Sequence, residues 1–305
     1  MNPYAGILYK LASVTTFVAM ASCIKFTEGT VPPGELVFFR SFFALPVILG
    51  WLIWQKQLSV GLTVQNPMGH VWRGLVGTTA MALTFAGLTL LPLPEFTAIG
   101  YTTPLLVVIF AAMFLGEQVG IFRLSAVFVG MIGVMIVLAP RFSAFGNGLA
   151  DSEGLGALLV LMGACFAALA QVFVRKLVQT ERTSAVVFWF SITATVLSLF
   201  TLPFGWVWPS SSSLFFLILS GILGGFGQIF LTTSYRISDA SLVAPFEYSS
   251  MIMALIVGYF LFNEVPTIAM LSGAGLVIAA GVAIILRERH LGLKRAQQRK
   301  AVSPH

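Results

Sequence analysis

The stretch LVAPFEYSSMIMALIVGYFLFNE, residues 242–264, contains the pattern that decides the fold. From Met251 to Phe262 every residue is apolar, aromatic or glycine, and together with the preceding turns the stretch is long enough to cross a hydrocarbon core ~30 Å thick. Glu247 precedes this apolar run, two residues after Pro245. A charge near the bilayer centre costs ~2.5–3.5 kcal/mol on insertion scales. The stretch therefore predicts a membrane-spanning helix with a carboxylate inside it.

The rest of the chain has the same character. Of its 305 residues, 58% are hydrophobic and 9% are charged, and the mean hydropathy is +0.95, whereas roughly a quarter of the residues of a soluble domain are charged. Because backbone groups in lipid must be paired within their own segment, we predict an all-α membrane protein. The ten predicted spans cover, approximately, residues 5–26, 34–54, 70–91, 94–115, 120–139, 154–176, 182–203, 213–235, 240–262 and 265–286.

The distribution of basic residues predicts the orientation of the chain. If the N-terminus is cytoplasmic, Lys25 and Arg141 are the only Lys and Arg residues on the outer side, while Lys10 and Arg40 lie within spans. Most of the others then lie at cytoplasmic helix ends or in the tail, which satisfies the positive-inside rule. We expect a multi-pass membrane protein with both termini in the cytoplasm. The net charge of +6 reflects these helix ends and does not indicate a nucleic-acid partner.

The chain repeats itself at an offset of 147 residues. The aligned pairs are Tyr101 with Tyr248, Thr102 and Thr103 with Ser249 and Ser250, Glu117 with Glu264, Gly74 with Gly221, and Gly77 with Gly224. Each half contains five predicted spans, and because five is odd the halves enter the membrane from opposite sides. We predict five-helix repeats at 1–140 and 154–286, an external linker at 141–153 and a basic cytoplasmic tail at 287–305. Inverted repeats are typical of secondary transporters, whose substrate site lies where the repeats meet.

Three segments resemble the EamA-type carriers of the drug/metabolite transporter superfamily. They are IKFTEGTVPPGELVFFRSFFALP (24–46), RGLVGTTAMALTFAGLTLLPLPEFTAIGYTTPLLVVIFAAMFLGE (73–117) and FNEVPTIAMLSGAGLVIAAGV (262–282). The resemblance implies ten helices and alternating access, often for the export of amino acids or other small metabolites. SLVAPFEYSS (241–250) is similar to a branch of bacterial carriers that handle amino acids, adenosylmethionine or vitamins. Many relatives have Glu-Pro where this chain has Ser250–Met251, so the family's ninth-helix glutamate does not transfer directly to Glu247.

Glu247 is the first candidate for substrate binding. It lies about seven residues, or ~10 Å, from the predicted cytoplasmic end of its span, and its side chain is too short to reach the interface easily. One interpretation is that it binds a substrate amine or a proton. The alternative is a structural carboxylate that accepts hydrogen bonds from Tyr, Ser or Gln on a neighbouring helix. The sequence favours function, because ionisable groups inside membranes usually have one.

Two further pairs are candidates for the same site. Tyr101 and Tyr248 are expected at equivalent depths from opposite faces, where they stack on a substrate, form gates or simply pack. Gln171 and Gln228 are amides in apolar helices, so they bind substrate or join helices by hydrogen bonds.

Two prolines and two basic residues also lie in or near the spans. Pro104 and Pro245 each remove a helical hydrogen bond, which makes them hinges or tolerated bends. Arg40 is expected to reach the interface or to pair with Glu28, Glu35 or a neighbouring helix. Lys25 either anchors the outer end of the first helix or attracts anionic groups.

The remaining patterns limit the possible functions. There is no HExxH motif and no Walker-type loop, so we expect no metal, cofactor, catalytic residue or ATP hydrolysis. The sequence predicts a secondary active or facilitative transporter, with an amino-acid exporter favoured and an importer of adenosylmethionine or a vitamin as the alternative. An enzyme would need a second catalytic group beside Glu247, and a channel would show flux that does not saturate. Small residues in the fifth and tenth spans predict close packing, within a monomer or in a homodimer.

Overall fold

The protein is all-helical over the ranges that the structure describes. This computed structural model describes residues 3–27, 29–115, 120–144, 152–177, 180–237 and 244–302. The helices of the first half are α1 (Pro3–Lys25), α2 (Pro33–Phe42), α3 (Ala44–Trp54), α4 (Leu58–Gly61), α5 (Pro67–Leu88), α6 (Leu93–Gly100), α7 (Thr102–Leu115) and α8 (Ile121–Ala144). Those of the second half are α9 (Ser152–Leu177), α10 (Thr183–Leu199), α11 (Ser211–Ile237), α12 (Ser249–Phe262) and α13 (Ile268–Val302), with 3₁₀ turns at Leu202–Phe204 and Ala244–Tyr248.

These helices confirm the ten predicted spans. Within the described ranges, six helices are long and apolar enough to cross a membrane: Tyr4–Lys25, Pro33–Trp54, Leu93–Phe114, Ser152–Val174, Ser211–Ser234 and Ile268–Arg287. Three shorter apolar helices, Leu124–Pro140, Ser184–Leu199 and Phe246–Phe262, correspond to the fifth, seventh and ninth predicted spans. Helix α5, 22 residues long, corresponds to the third predicted span. Helix α13 continues beyond the last predicted span, into the basic segment.

Three spans are interrupted, and proline explains two of the breaks. The second span breaks at Phe43 and the fourth at Tyr101, each three residues before a proline, Pro46 or Pro104. Proline has no N–H, and its ring clashes with the carbonyl four residues earlier, so the helix is broken one turn before it. In the ninth span Glu247 lies in the 3₁₀ turn before α12. The prediction of one regular helix around Glu247 is therefore wrong for this turn.

The two halves interlock. The most extensive contacts join α1 to α11, α5 to α9 and α8 to α13, and each of these pairs takes one helix from each half. In the repeat alignment the α1–α11 pair is equivalent to the α9–α5 pair, and the α8–α13 pair relates two equivalent helices. This pseudo-twofold pattern is the one expected of inverted repeats. Any site between the halves is consequently built from residues far apart in sequence.

The closest backbone approach lies between α8 and α13. A Cβ atom on Gly133 would lie 2.7 Å from the carbonyl oxygen of Gly273, and a Cβ atom on Gly273 would lie 2.5 Å from the carbonyl oxygen of Gly133. Only residues without a side chain allow such contact, a common device in membrane helix pairs. The predicted packing of the fifth and tenth spans thus occurs within one chain. Gly275, two residues after Gly273 on α13, lies outside this contact and has open space around it.

Candidate substrate site

An ion pair between the two halves contains the predicted Glu247. Lys10 on α1 donates a hydrogen bond to Glu247 Oε2 in the 3₁₀ turn before α12. The Lys10 side chain is 0% exposed, whereas that of Glu247 is 47% exposed. The lysine is therefore enclosed by protein, while part of the carboxylate remains accessible to a second ligand.

Lys10 was not among the predicted partners of Glu247. The two residues are separated by 237 positions, so no local pattern connects them. The signal available in the sequence was Lys10 itself, a cation within the first predicted span.

Tyr101 and Tyr248 meet beside this ion pair. Their ring centroids are 5.1 Å apart with the planes at 71°, an edge-to-face arrangement. The Tyr101 hydroxyl lies 2.5 Å from Ser250 Oγ and 3.4 Å from the Tyr248 carbonyl oxygen. Ser250 Oγ in turn donates to the Glu247 carbonyl oxygen at 2.7 Å. The repeat-equivalent tyrosines are thus connected to the turn that carries Glu247.

The Tyr248 ring extends from this turn to α13. Its hydroxyl occupies the space where a Cβ atom on Gly281 would lie, so that position accepts only glycine without a shift of the ring. Tyr101 is 5% exposed, and Tyr248 is half-buried. The pair therefore fills the contact between the fourth, ninth and tenth spans.

The other predicted site residues lie on several different helices. Pro104 is in the first turn of α7, and Pro245 lies in the 3₁₀ turn two residues before Glu247. Gln228 is half-buried on α11, next to Gly227, whose carbonyl accepts a hydrogen bond from Ser13. Gln171 is exposed on α9.

A second ion pair lies at the other end of α1. Lys25 pairs with Glu264 and also donates to the Leu91 carbonyl oxygen. Glu264 Oε2 also accepts the Leu93 backbone N–H at 2.8 Å. The two side chains are 15% and 13% exposed. These contacts favour an anchoring role for Lys25, because its ion pair is bonded to the backbone before α6.

Arg40 does not pair with Glu35, one of its predicted partners. Glu35 Oε2 accepts the backbone N–H of Val207 at 3.2 Å, while the Arg40 guanidinium lies against the Phe190 ring. Glu28, the other named partner, lies outside the described residues. Within the described ranges, no three His, Cys, Asp or Glu side chains come together as metal ligands would.

Comparisons with known proteins agree with this architecture. The EamA-like transporter family matches twice, at residues 4–139 and 154–287. The S-adenosylmethionine uptake transporter of Rickettsia prowazekii (strain Madrid E) is 29% identical over 284 residues, covering 93% of each chain. The pseudopaline exporter CntI of Pseudomonas aeruginosa (strain UCBPP-PA14) is 28% identical over 281 residues, covering 92% of this chain and 95% of the exporter.

Two more comparisons extend this result. The riboflavin transporter of Rhizobium johnstonii (strain DSM 114642 / LMG 32736 / 3841) is 27% identical over 287 residues, covering 93% of this chain and 89% of that transporter. A crystal structure superimposes with a TM-score of 0.65 at 21% identity, covering 94% of this chain and 99% of the other, which shows the shared fold. The chain therefore belongs to the EamA-like transporter family and is a multi-pass membrane transporter of small metabolites, not an enzyme.

Proposed function

We propose that the chain carries zwitterionic metabolites, with amino acids as the simplest class, across the bacterial inner membrane by alternating access. The observation that carries this proposal is the ion pair between enclosed Lys10 and half-exposed Glu247. An ion pair is the electrostatic complement of a zwitterion. The substrate's amino group binds Glu247, and the substrate's carboxylate takes the place of Glu247 beside Lys10. The total charge of the site does not change.

The exchange of partners also explains how an empty carrier tolerates its charges. Without substrate, Lys10 and Glu247 neutralise each other, which lowers the cost of keeping both in the membrane. The substrate amine approaches Glu247 from its exposed side. A carboxylate has about four lone-pair positions, so it accepts the amine before the bond to Lys10 breaks.

The tyrosine pair connects this site to the movement of the halves. Tyr101 belongs to the first half and Tyr248 to the second, and they are joined through Ser250. A change of access moves the halves relative to each other, so the edge-to-face contact of the two rings forms or breaks with it. Their position next to Glu247 supports a gating role.

Proton binding is the competing role for Glu247. A protonated carboxyl group donates its own hydrogen bond and no longer attracts an amine. In that case transport is driven by pH even when the substrate has no amino group. A panel of amino acids, nucleosides and vitamins separates the two roles, because only amine recognition ranks the panel by its charged groups.

The experiment is substrate counterflow in proteoliposomes. We expect saturable exchange of at least one zwitterionic solute by the wild type and at least a tenfold loss in Glu247→Gln, with Glu264→Gln as the matched carboxylate control. Equal loss in both variants, or exchange limited to solutes without an amine, contradicts the proposal. Net flux from vesicles of known orientation determines direction, where export is our expectation from the sequence.

A further inference from the structure

Two arginines, buried Arg40 and half-buried Arg73, share one aromatic ring where α2, α5 and α10 pack together. Arg40 on α2 and Arg73 on α5 have their guanidinium carbons 6.0 Å and 4.0 Å from the centroid of Phe190 on α10. Arg40 is 7% exposed. The two positive charges are also near enough to repel each other.

Several donors of this cluster lack partners. Among the described residues, Arg40 Nε, Arg73 Nε and Arg73 Nη1 are buried without a hydrogen-bond acceptor. Neither arginine forms an ion pair with a described carboxylate. Ser41 Oγ on α2 and Thr78 Oγ1 on α5 are buried without partners too. The arginine N–H groups therefore lack the acceptors that buried donors normally have.

Glycines at repeat-equivalent positions make room for the two guanidinium groups. A Cβ atom on Gly77 would collide with Arg73 Nη1, and one on Gly224 would lie 3.2 Å from Arg40 Nε. Gly77 and Gly224 are related by the repeat offset of 147. The cluster is thus built into the contact between the halves.

An aromatic ring compensates these charges only in part. The face of Phe190 attracts a cation, but it offers no oxygen or nitrogen acceptor to the N–H groups. Buried charges need a partner charge and hydrogen bonds. The fork of guanidinium donors matches the spacing of two oxygens in a carboxylate or phosphate.

We propose that Arg40 and Arg73 bind a carboxylate or phosphate group at the contact of α2, α5 and α10. This site is separate from Glu247, because Met20 and Arg40 flank Gly224 and Met20 is ten residues, or ~15 Å of helix, from Lys10. An amino acid is too short to bridge that distance. The oxyanion therefore belongs to a longer solute or is a free anion, and only the first of these sources depends on the proposed function.

The test uses the full-length protein in nanodiscs. We expect sodium phosphate and sodium malonate to raise the melting temperature in a saturable manner, above any effect of sodium chloride at equal ionic strength. Arg40→Lys and Arg73→Lys keep the positive charge but lose the paired guanidinium N–H donors. Each should therefore weaken the apparent affinity for phosphate and malonate at least tenfold. Phe190→Leu should weaken it as well, while Phe188→Leu, the matched control on the same helix, should not. A wild type without a saturable response, or with an equal response to chloride, overturns the proposal.

Two further arms identify the source of the anion. Saturable counterflow of labelled phosphate identifies a free anion, whereas inhibition of solute counterflow by malonate without phosphate flux identifies a group on the solute. Glu28→Gln tests whether a carboxylate of the chain itself compensates the two arginines. A rise in melting temperature with phosphate that appears in this variant but not in the wild type contradicts the proposal. Glu247→Gln should keep the phosphate-induced stabilisation, so failure of the amine site and failure of the oxyanion site give different results.

Discussion

Helix α1 carries two lysines that pair with glutamates on either side of α12, and the two ion pairs differ in how exposed their carboxylates are. Lys25 and Glu264 each have a backbone partner as well as each other, at 15% and 13% exposure. In the other pair Lys10 is enclosed, but the Glu247 side chain is 47% exposed. The same two residue types thus form a closed anchor at one place and an accessible site at the other.

The exposed fraction of the side chain is what distinguishes the two glutamates. Both carboxylates keep lone pairs beyond those bonded to the lysine, but the Glu264 side chain is 13% exposed and the Glu247 side chain 47%. A ligand therefore has access to Glu247 and little access to Glu264. Residue type and depth, which sequence provides, do not distinguish the two, whereas the exposed fraction does.

The largest expected effect is on transport through the Lys10–Glu247 pair. Glu247→Gln should reduce exchange of amine-bearing solutes at least tenfold, and it should also lower the melting temperature because buried Lys10 loses its carboxylate. Adding Lys10→Met removes the cation that faced Glu247. We expect this double variant to recover the melting temperature without recovering transport. Recovery of transport in the double variant would make the pair structural.

The Lys25–Glu264 pair should show the opposite balance. Lys25→Met leaves a buried carboxylate that lacks its cation, which for fully buried pairs costs ~3–5 kcal/mol. The expected result is a large drop in melting temperature, with an unchanged apparent KM at temperatures where the protein stays folded. A raised KM without loss of stability would remove the contrast between the two pairs.

Substitutions of Tyr101 and Tyr248 test whether the contact between the two tyrosines, one from each half, matters for transport. Tyr101→Ala and Tyr248→Ala should both weaken transport severalfold while expression stays near that of the wild type. Tyr101→Phe retains the ring contact of 5.1 Å but loses the bond to Ser250, worth about 1 kcal/mol, so it should be milder. Normal kinetics in both alanine variants would leave only a packing role.

Two glycines of α13 provide a smaller and matched test. Gly281→Ala places a methyl group where the Tyr248 hydroxyl lies, whereas Gly275→Ala meets open space. We expect Gly281→Ala to lower the transport rate, because the ring beside Glu247 must shift, and Gly275→Ala to behave as the wild type. Parallel transport assays and melting curves of the two variants measure the difference. Equal transport rates in the two variants would show that the position of the Tyr248 ring does not affect transport.

The final prediction concerns orientation, and no functional change is expected. A C-terminal tag should report the cytoplasm, and a cysteine placed at Asn147 should react with an external reagent. With this orientation the Lys10–Glu247 pair lies nearer the cytoplasmic face, and the Lys25–Glu264 pair lies nearer the outer face. Protection of that cysteine in a folded protein would reverse the orientation and exchange the two faces.

Much of the candidate site was visible in the sequence. Glu247 stands out because a charge in an apolar segment is costly, and the repeat offset relates Tyr101 to Tyr248, which the structure places in contact. Lys10 was visible as a charge but not as a partner. Arg73 lies near the cytoplasmic end of the third predicted span, yet its guanidinium lies over the Phe190 ring in the helix contact. Helical periodicity shows which residues share a face, but not which helix that face meets.

The sequence by itself determined ten helical spans, the duplication of the chain and the inverted relation of its halves. These follow from local physics, since lipid requires each segment to pair its own backbone groups and an odd number of spans reverses direction. Only the tertiary structure decided which charge is accessible. Lys10 meets Glu247 across 237 residues, and Lys25 meets Glu264 and the backbone before α6. Packing of distant helices fixes the partners of a buried charge, and those partners decide whether it anchors the fold or remains free to bind a solute.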